Sequence, residues 1–230
     1  MIKKALWKDI WKGIWNNKAR FFALLAIIVL GTGFFGGISA TGPDMLDTAN
    51  RYYQNRKLFD LKVVSSYGIE VEDLTALDKV DGIEVHPMRT MDAILADYEY
   101  TLRLYPYDTD TAVNKYALVS GRLPEKVGEI ALDAELNRFS KQPSLGDNVT
   151  FRSETPIEGA PTLTEETYEV VGFVHSPLYI ERVGRGNTQV GKGSLDGFGV
   201  VHSDSIKGDF FSEAYVTFTD EEDAYTDAYG

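Results

Sequence analysis

Cysteine is absent from the 230 residues, and histidine occurs only three times. Without cysteine, a disulfide-stapled secreted scaffold is excluded, so the folded part must be stabilised by ordinary packing. The histidines, His86, His175 and His202, lack the close spacing of a helical metal pair, and Pro87 and Pro177 near two of them are typical of loops or strand ends. We therefore predict no cofactor and no metal in this chain.

Catalytic motifs are also missing. No serine lies in a Gly-x-Ser-x-Gly elbow. The carboxylates number 35, so that no pair can be chosen as catalytic without geometry. Acidic clusters at residues 108–110 and 220–223 lack the spacing of a dedicated calcium loop and are interpreted as solvated surface. The sequence favours a chain that is not an enzyme, and an anchored hydrolase is a distant alternative.

Basic residues are scarce after Pro43, where 17 of them face 34 acidic residues and give a net charge of −17. This excess argues against a nucleic acid partner. Up to Arg20, six basic residues face Asp9 alone, a net of +5. Flanks rich in Lys and Arg stay in the cytoplasm, whereas acidic residues do little to oppose translocation. We predict a cell-membrane protein with a cytoplasmic amino terminus and an extracytoplasmic part after Pro43.

Only one long uncharged apolar run occurs, at residues 21–43. As a helix it is about 35 Å long, which is enough to cross a hydrocarbon core of about 30 Å. The predicted organisation is an amphipathic leader helix at residues 1–20, a transmembrane helix at 21–43 and an extracytoplasmic core domain at 44–230. A cleaved signal peptide is the alternative, because small residues follow the run, but the long leader favours a retained anchor.

The leader places apolar residues three, four and seven positions apart, which indicates one helical stripe with lysines beside it. Tryptophan favours the headgroup level and lysine attracts anionic lipid. We therefore predict that this helix lies on the inner membrane surface; packing on another protein is the alternative, and the two are compatible. The predicted membrane-interface residues are Trp7, Trp11, Trp15, Lys8 and Lys12.

Glycines inside the apolar run are costly in a helix unless close packing compensates for them. Gly33 and Gly37 form a Gly-x-x-x-Gly pattern, which suits tight packing against other membrane helices. The motif is common by chance in apolar runs, but a lone anchor does not need it. These two glycines are the predicted helix-packing residues.

The remaining 187 residues predict an α+β fold. After a break near Gly42 and Pro43, a helical stalk is expected to reach Leu58. Strands are predicted at residues 59–65, within 83–97 and at 98–105, and a short amphipathic helix at 71–80. This order predicts a small unit with helices on one face of a sheet, within a domain that is partly mixed α/β and partly strand-rich.

Four short segments follow in order, at residues 120–124 (SGRLP), 128–132 (GEIAL), 145–149 (LGDNV) and 168–174 (YEVVGFV). Each by itself predicts only a turn followed by a strand. Together with the apolar run, they resemble the extracytoplasmic core domain of FtsX-like, MacB-type ABC transporter permeases. The resemblance extends to about Phe218, and the leader and span are most similar to the large Gram-positive members.

The resemblance implies a transport component whose outer domain transmits ATPase-driven motion to an extracytoplasmic substrate of the lipid, lipoprotein or peptide class. It also implies three partners: a separate cytoplasmic ABC ATPase subunit, a second permease or permease half, and membrane lipid. The chain shows no second span before Gly230, so we expect it to be the amino-terminal portion of a longer permease. The alternative is a single-span, membrane-anchored extracellular binding or sensing module.

A glycine-rich stretch at residues 184–199 mimics a nucleotide-binding loop. Residues 186–192 fit the start of Gly-x-x-x-x-Gly-Lys-Ser/Thr, but Gly193 stands where the magnesium-binding hydroxyl belongs. The stretch is therefore interpreted as a tightly turning or mobile loop. The wider segment 179–199 contains three basic residues, Arg182, Arg185 and Lys192, which form a predicted contact for substrate, a dimer mate, anionic lipid or a cell-wall polymer.

Overall fold

A computed structural model describes residues 2–153, 158–181 and 184–219 of the chain. The chain divides into two units, Met1–Tyr52 and Tyr53–Gly230. The predicted α+β class is confirmed: one long apolar helix lies near the amino terminus, and a strand-rich body follows it.

The first unit is helical. Helix α1 spans Ile2–Asn16, and helix α2 spans Lys18–Arg56, so that a single residue, Asn17, separates them. The backbone N–H of Asn17 donates to the carbonyl oxygens of Gly13 and Ile14, both at 3.2 Å. The leader is therefore helical as predicted, and the apolar run is part of a helix of 39 residues.

Helix α2 does not break at Pro43, so the predicted break near Gly42 and Pro43 is wrong. A proline inside a helix removes one N–H donor and usually disfavours helical geometry in the residue before it, because the proline ring meets the Cβ of that residue. Here the preceding residue is Gly42, which has no Cβ. The helix continues beyond Pro43 into its polar part, where the Thr48 hydroxyl donates to Asp44 O at 2.7 Å.

The body begins with a small sheet. Strand β1 (Leu61–Ile69), helix α3 (Val71–Leu77) and strand β2 (Ile83–Met88) follow one another as predicted. The two strands do not pair with each other, because strand β12 (Phe211–Phe218) lies between them and is antiparallel to both. Glu70 is the N-cap residue of helix α3, and its backbone N–H donates to Asp73 Oδ2 at 3.0 Å.

A closed β-barrel makes up most of the body. Its strands are β3 (Met91–Leu95), β4 (Tyr100–Tyr107), β6 (Glu129–Asp133), β7 (Asn148–Arg152), β9 (Thr167–His175) and β10 (Gly197–His202). The order around the barrel is β9-β6-β10-β4-β3-β7, and β7 pairs again with β9. The β6–β9 and β10–β4 pairs are parallel, and the other pairs are antiparallel.

The long strand β9 pairs with three other strands. Strand β6 occupies one edge of β9; the other edge is shared by β7 and by β5 (Ala117–Gly121). Strands β8 (Thr162–Leu163) and β11 (Ile206–Lys207) form a separate two-stranded ladder. Strand β9 therefore brings together segments that are far apart in the sequence.

Alternate residues of the barrel strands fill a common core, as the two-residue period of a strand requires. Buried members of this core are Met91, Ala93, Leu95, Leu102, Leu104, Ile130, Leu132, Val149, Phe151, Tyr168 and Val170. Gly199 faces the same core, and a Cβ there would lie 2.8 Å from Leu104 Cδ2 and 2.9 Å from Ile130 Cδ1. This glycine of the glycine-rich stretch is thus required by packing.

The opposite face of the barrel carries an aromatic cluster. Phe198 is stacked with Tyr179 at a ring-centroid distance of 5.0 Å and with Tyr116 at 6.3 Å. The hydroxyl groups of Tyr105 and Tyr179 are hydrogen bonded at 2.7 Å. Burial raises the pKa of both tyrosines, so these hydroxyls stay protonated.

Candidate functional site

The predicted membrane-interface residues all lie on helix α1. Trp7, Trp11 and Trp15 expose 64%, 58% and 65% of their surface, and Lys8 and Lys12 are exposed as well. The Nζ atom of Lys18 lies 5.6 Å from the Trp15 ring centroid. Because residues four apart share a helical face, the indoles form one stripe with lysines along its flank. This arrangement combines a wide apolar surface with positive charge.

Helix α2 is long enough and apolar enough, by length and composition, to cross a membrane. Gly33 and Gly37 lie on one face of it, and a Cβ built on either has nothing within 4 Å. The backbone of this face is therefore accessible to a neighbouring helix. The Thr41 hydroxyl donates to Gly37 O at 2.8 Å, so its polar group is satisfied within the helix.

The last residues of helix α2, which belong to the second unit, are hydrogen bonded to a distant segment of that same unit. The backbone N–H of Lys115 donates to Arg56 O at 2.8 Å, and that of Asn114 donates to Lys57 O at 2.7 Å. The Arg56 guanidinium donates to Tyr116 O at 3.3 Å. These bonds satisfy carbonyl groups that a helix end leaves free. We call this set of contacts the helix junction.

Sequence reasoning did not identify the helix junction. Its residues belong to no motif, and Asn114 and Lys115 lie in a segment without hydrophobic periodicity. In the structure, Lys57 and Asn114 both adopt a positive φ, of 47° and 54°. Asparagine tolerates this conformation better than most residues, so the residue type at 114 is compatible with a turn. It does not indicate that this turn contacts the end of helix α2.

Two of the four motif segments are joined by a charge-assisted pair. Arg122 donates from Nη1 to Glu129 Oε2 at 2.6 Å and from Nη2 to Glu129 Oε1 at 2.5 Å. The backbone N–H of Glu125 donates to Glu129 Oε2 at 2.9 Å. The hydrogen bonds from Arg122 lower the pKa of the Glu129 carboxyl to about 2, so it is ionised at neutral pH.

The other two segments meet on strand β9. The backbone N–H of Gly146 donates to Val170 O, and that of Val170 donates to Asp147 O, both at 2.9 Å. Gly172 lies so close to the backbone of Arg122 that an added Cβ would be 2.1 Å from Arg122 O. All four segments on which the family resemblance rests are therefore neighbours around β9, where they hold the barrel together.

In the glycine-rich stretch, one residue of the predicted basic contact, Arg185, is buried against the barrel. The buried Arg185 donates from Nε to Asp133 Oδ2 at 2.7 Å and from Nη2 to Asp133 Oδ1 at 3.2 Å. Lys192 is exposed but pairs with Asp196 at 2.7 Å. Arg182 lies outside the described residues. Of the two residues that the structure describes, Lys192 lies at the surface and Arg185 does not.

The turn in this stretch does not resemble a phosphate-binding loop. Asn187 and Ser194 form an isolated antiparallel bridge, and Leu195 N–H donates to Gly186 O at 2.9 Å. Strand β10 follows, whereas a phosphate-binding loop leads into a helix. Tight turning explains the glycines here, as the sequence predicted.

Two of the histidines, His86 and His202, have different hydrogen-bond partners. His86 Nε2 lies 3.2 Å from Thr217 Oγ1, and His202 Nδ1 accepts a hydrogen bond from Asp204 N–H at 3.2 Å. Within residues 2–153, 158–181 and 184–219, no group of three His, Cys, Asp or Glu side chains is arranged to hold a metal ion.

No protein-family model matches this chain, and a search of curated proteins gives no match either. The resemblance to FtsX-like, MacB-type permeases remains an expectation drawn from the four segments and the apolar run. The structure supplies the geometry of these features: an exposed amphipathic helix, a long apolar helix, a hydrogen-bonded helix junction and a barrel closed on β9.

Proposed function

We propose that this chain is the membrane-anchored portion of an ABC transporter permease. In this proposal helix α2 crosses the membrane and the body lies outside the cell. A separate cytoplasmic ATPase drives motion of the body, and the body transmits this motion to an extracytoplasmic substrate. The resemblance of the motif segments suggests the family. The observation that carries the mechanical role is the uninterrupted helix Lys18–Arg56 with its hydrogen-bonded end.

A continuous helix is suited to transmit displacement. At 1.5 Å per residue, 39 residues extend for about 58 Å, well beyond a hydrocarbon core of about 30 Å. A break at Pro43 would have introduced a hinge near the membrane surface, and the helix has none at that point. The helix junction then connects the last turn of α2 to residues 114–116, which lead directly into strand β5 and the edge of β9.

The charge distribution supports the orientation. The segment up to Arg20 carries a net +5 and the segment after Pro43 a net −17, which is the asymmetry of a cytoplasmic amino terminus. Helix α1 would lie at the inner membrane surface with its indoles at the headgroup level. In that position it lies next to the compartment that contains the ATPase.

The proposal is tested by changing the stiffness of the polar part of helix α2. A flexible Gly-Ser insertion of two helical turns after Asp47 is compared with a helical Ala-rich insertion of the same length. Both are placed in the full-length protein, reconstituted in nanodiscs with its cytoplasmic ATPase. We expect the flexible insertion to uncouple ATP hydrolysis from movement of the body, measured by spin-label distances, while the helical insertion retains most of the coupling.

Two results contradict the proposal. One is equal coupling in both insertion variants, because a flexible segment cannot transmit displacement. The other is isolation of the intact protein from its native membrane without an associated ATPase, which favours the single-span sensing module. A fluorescent label on the body that is protected from added quencher in intact cells contradicts the orientation independently.

A further inference from the structure

Side chains on helix α1 form parallel rows, because residues four positions apart lie one above the other on a helix. The middle row is the exposed indole stripe described above. A residue three positions from an indole lies about 60° from it around the helix axis, on the side set by whether it follows or precedes the indole. Two isoleucines follow an indole and two lysines precede one, so an aliphatic flank and a basic flank lie on opposite sides of the indoles. The isoleucines are Ile10 and Ile14, and the lysines are Lys8 and Lys12.

The acid on this helix does not compensate the positive charge of the basic flank. Asp9 is the only acidic residue up to Arg20. It lies three positions before Lys12, yet in the part of the chain that the structure describes neither Lys8 nor Lys12 forms an ion pair. Asp9 and both lysines are exposed, and Asp9 lies about 160° around the axis from Trp11. The ammonium groups of the basic flank are therefore available to an anion.

Positive charge continues beside the indoles at the end of the helix. The Nζ atom of Lys18 lies over the Trp15 ring at 5.6 Å from its centroid, within the range of a favourable cation–π contact. Arg20 follows and is also exposed. An ammonium group and an indole are thus close enough to contact the same lipid headgroup.

We propose that the basic flank of helix α1 binds the phosphodiester headgroups of anionic phospholipid and selects these lipids from the inner leaflet. The inference rests on the membrane placement in the proposed function and does not depend on the ATPase. Indoles favour the headgroup level, and the aliphatic flank requires an apolar phase beside the phosphates, which a bilayer provides along the whole helix.

The net charge of the lipid decides the selection. A zwitterionic headgroup carries a cation of its own, which offsets its phosphate, whereas an anionic lipid leaves the negative charge to the lysines. Near an anionic surface, each lysine or arginine strengthens association by a factor of about five. The segment up to Arg20 has a net charge of +5, so several such contributions favour the anionic lipid.

The test uses the fluorescence of the indoles. The full chain contains three tryptophans, all in the indole stripe, so that its tryptophan emission reports on helix α1 alone. The chain is placed in nanodiscs of equal parts phosphatidylglycerol and phosphatidylcholine, and one lipid at a time carries brominated acyl chains, which quench nearby indoles. We expect brominated phosphatidylglycerol to quench more strongly, with a relative association constant at least about threefold in its favour. Salt at 1 M should reduce this preference, because the Debye length falls to about 3 Å.

Charge variants assign the preference to the basic flank. The double variant Lys8→Gln, Lys12→Gln should bring the relative association constant close to one, while quenching by the two lipids together persists because the apolar rows remain. Asp9→Asn removes the single acid and should increase the preference. The double variant Lys79→Gln, Lys207→Gln removes the same charge from exposed positions of the body and should behave as wild type.

The outcomes separate this inference from the proposed function. Equal quenching by the two lipids at low salt, or a preference that survives in the Lys8→Gln, Lys12→Gln variant, overturns the headgroup site and leaves the membrane placement intact. Quenching by neither lipid shows that helix α1 lies away from the bilayer, for instance on an acidic protein surface. That result overturns both the headgroup site and the proposed position of the leader.

Discussion

A buried arginine anchors the glycine-rich stretch to the barrel. The side chains of Arg185 and Asp133 are exposed by only 2% and 0%. Each buried charge is therefore compensated by the other. We expect Arg185→Met to lower the free energy of unfolding by about 3–5 kcal/mol, because it leaves a buried carboxylate without its counter-charge. The measurement is urea denaturation of the purified full chain, followed by near-UV circular dichroism.

A second substitution separates charge from packing at this site. Asp133 also accepts a hydrogen bond from the Glu135 N–H at 2.9 Å, and asparagine can keep that bond. The double variant Arg185→Met, Asp133→Asn should therefore regain much of the stability that Arg185→Met loses. If the single and double variants are equally unstable, the loss is one of packing and the electrostatic explanation fails.

The Glu129 carboxyl couples stability to acid pH. Its pKa is lowered from 4.5 to about 2 by the hydrogen bonds from Arg122. A lowered folded-state pKa contributes stability that is present above the unfolded value and is lost as pH falls toward the folded value. The wild type should therefore lose this contribution between about pH 4.5 and pH 2, whereas Glu129→Gln should lack it throughout.

Unfolding curves recorded at several pH values check this expectation. The stabilities of wild type and Glu129→Gln should differ most near neutral pH and converge as the pH approaches 2. Glu72→Gln removes an exposed carboxylate and should follow the wild type. A constant difference between wild type and Glu129→Gln across this range would show that the Glu129 charge is not what stabilises the barrel.

At the scale of the element, helix α2 offers a face for close helix packing. We expect Gly33→Leu and Gly37→Leu to weaken association with other membrane helices, because a bulky side chain keeps backbones apart. Gly31→Leu is the matched control, since residue 31 lies on the opposite side of the helix from residue 33. Disulfide or photo-crosslinking yields in native membranes measure the association. Yields for Gly33→Leu and Gly37→Leu that equal the wild-type yield indicate that this face contacts lipid.

Individual elements of the body were largely predictable from local pattern. Helix α3 follows from the spacing of Leu74 and Leu77, and strand β4 follows from alternation. The break at Pro43 was predicted wrongly: proline was treated as a helix breaker, and the absence of a Cβ on Gly42 removes one of the clashes that disfavour helical geometry before a proline. The end of α2 at Arg56 depends on bonds to residues 114–116, which lie too far along the chain for local propensity to indicate.

At the scale of the whole molecule, the exposed indoles of helix α1 should position the leader at the membrane. Replacing Trp7, Trp11 and Trp15 with alanine removes most of the apolar stripe; burial of each aromatic side chain contributes about 1.5–3 kcal/mol. We expect faster hydrogen exchange in α1 and less membrane-associated assembly, with unchanged exchange in the body. Replacement of the same residues with phenylalanine, which restores apolar area, is the control. Unchanged exchange in the alanine variant counts against a membrane role for α1.

The closed barrel was beyond the reach of sequence reasoning. Its strands are individually recognisable, but the parallel pairing of β6 with β9 and of β4 with β10 joins distant segments, and no local rule specifies such partners. The same limit applies to Arg185, which sequence reasoning assigned to an exposed patch. The signal was Asp133 at the end of a strand of apolar residues, since a carboxylate there requires a cationic partner.

The position of strand β12 has a consequence for biosynthesis. It is the middle strand of the small sheet, yet about 150 residues separate it from β1, its first neighbour. As the chain emerges from the ribosome, β1 and β2 must wait for β12 with their inner edges unpaired, a state prone to aggregation. Nascent chains arrested before Phe211 should accordingly bind chaperones, and release should follow once translation passes Phe218.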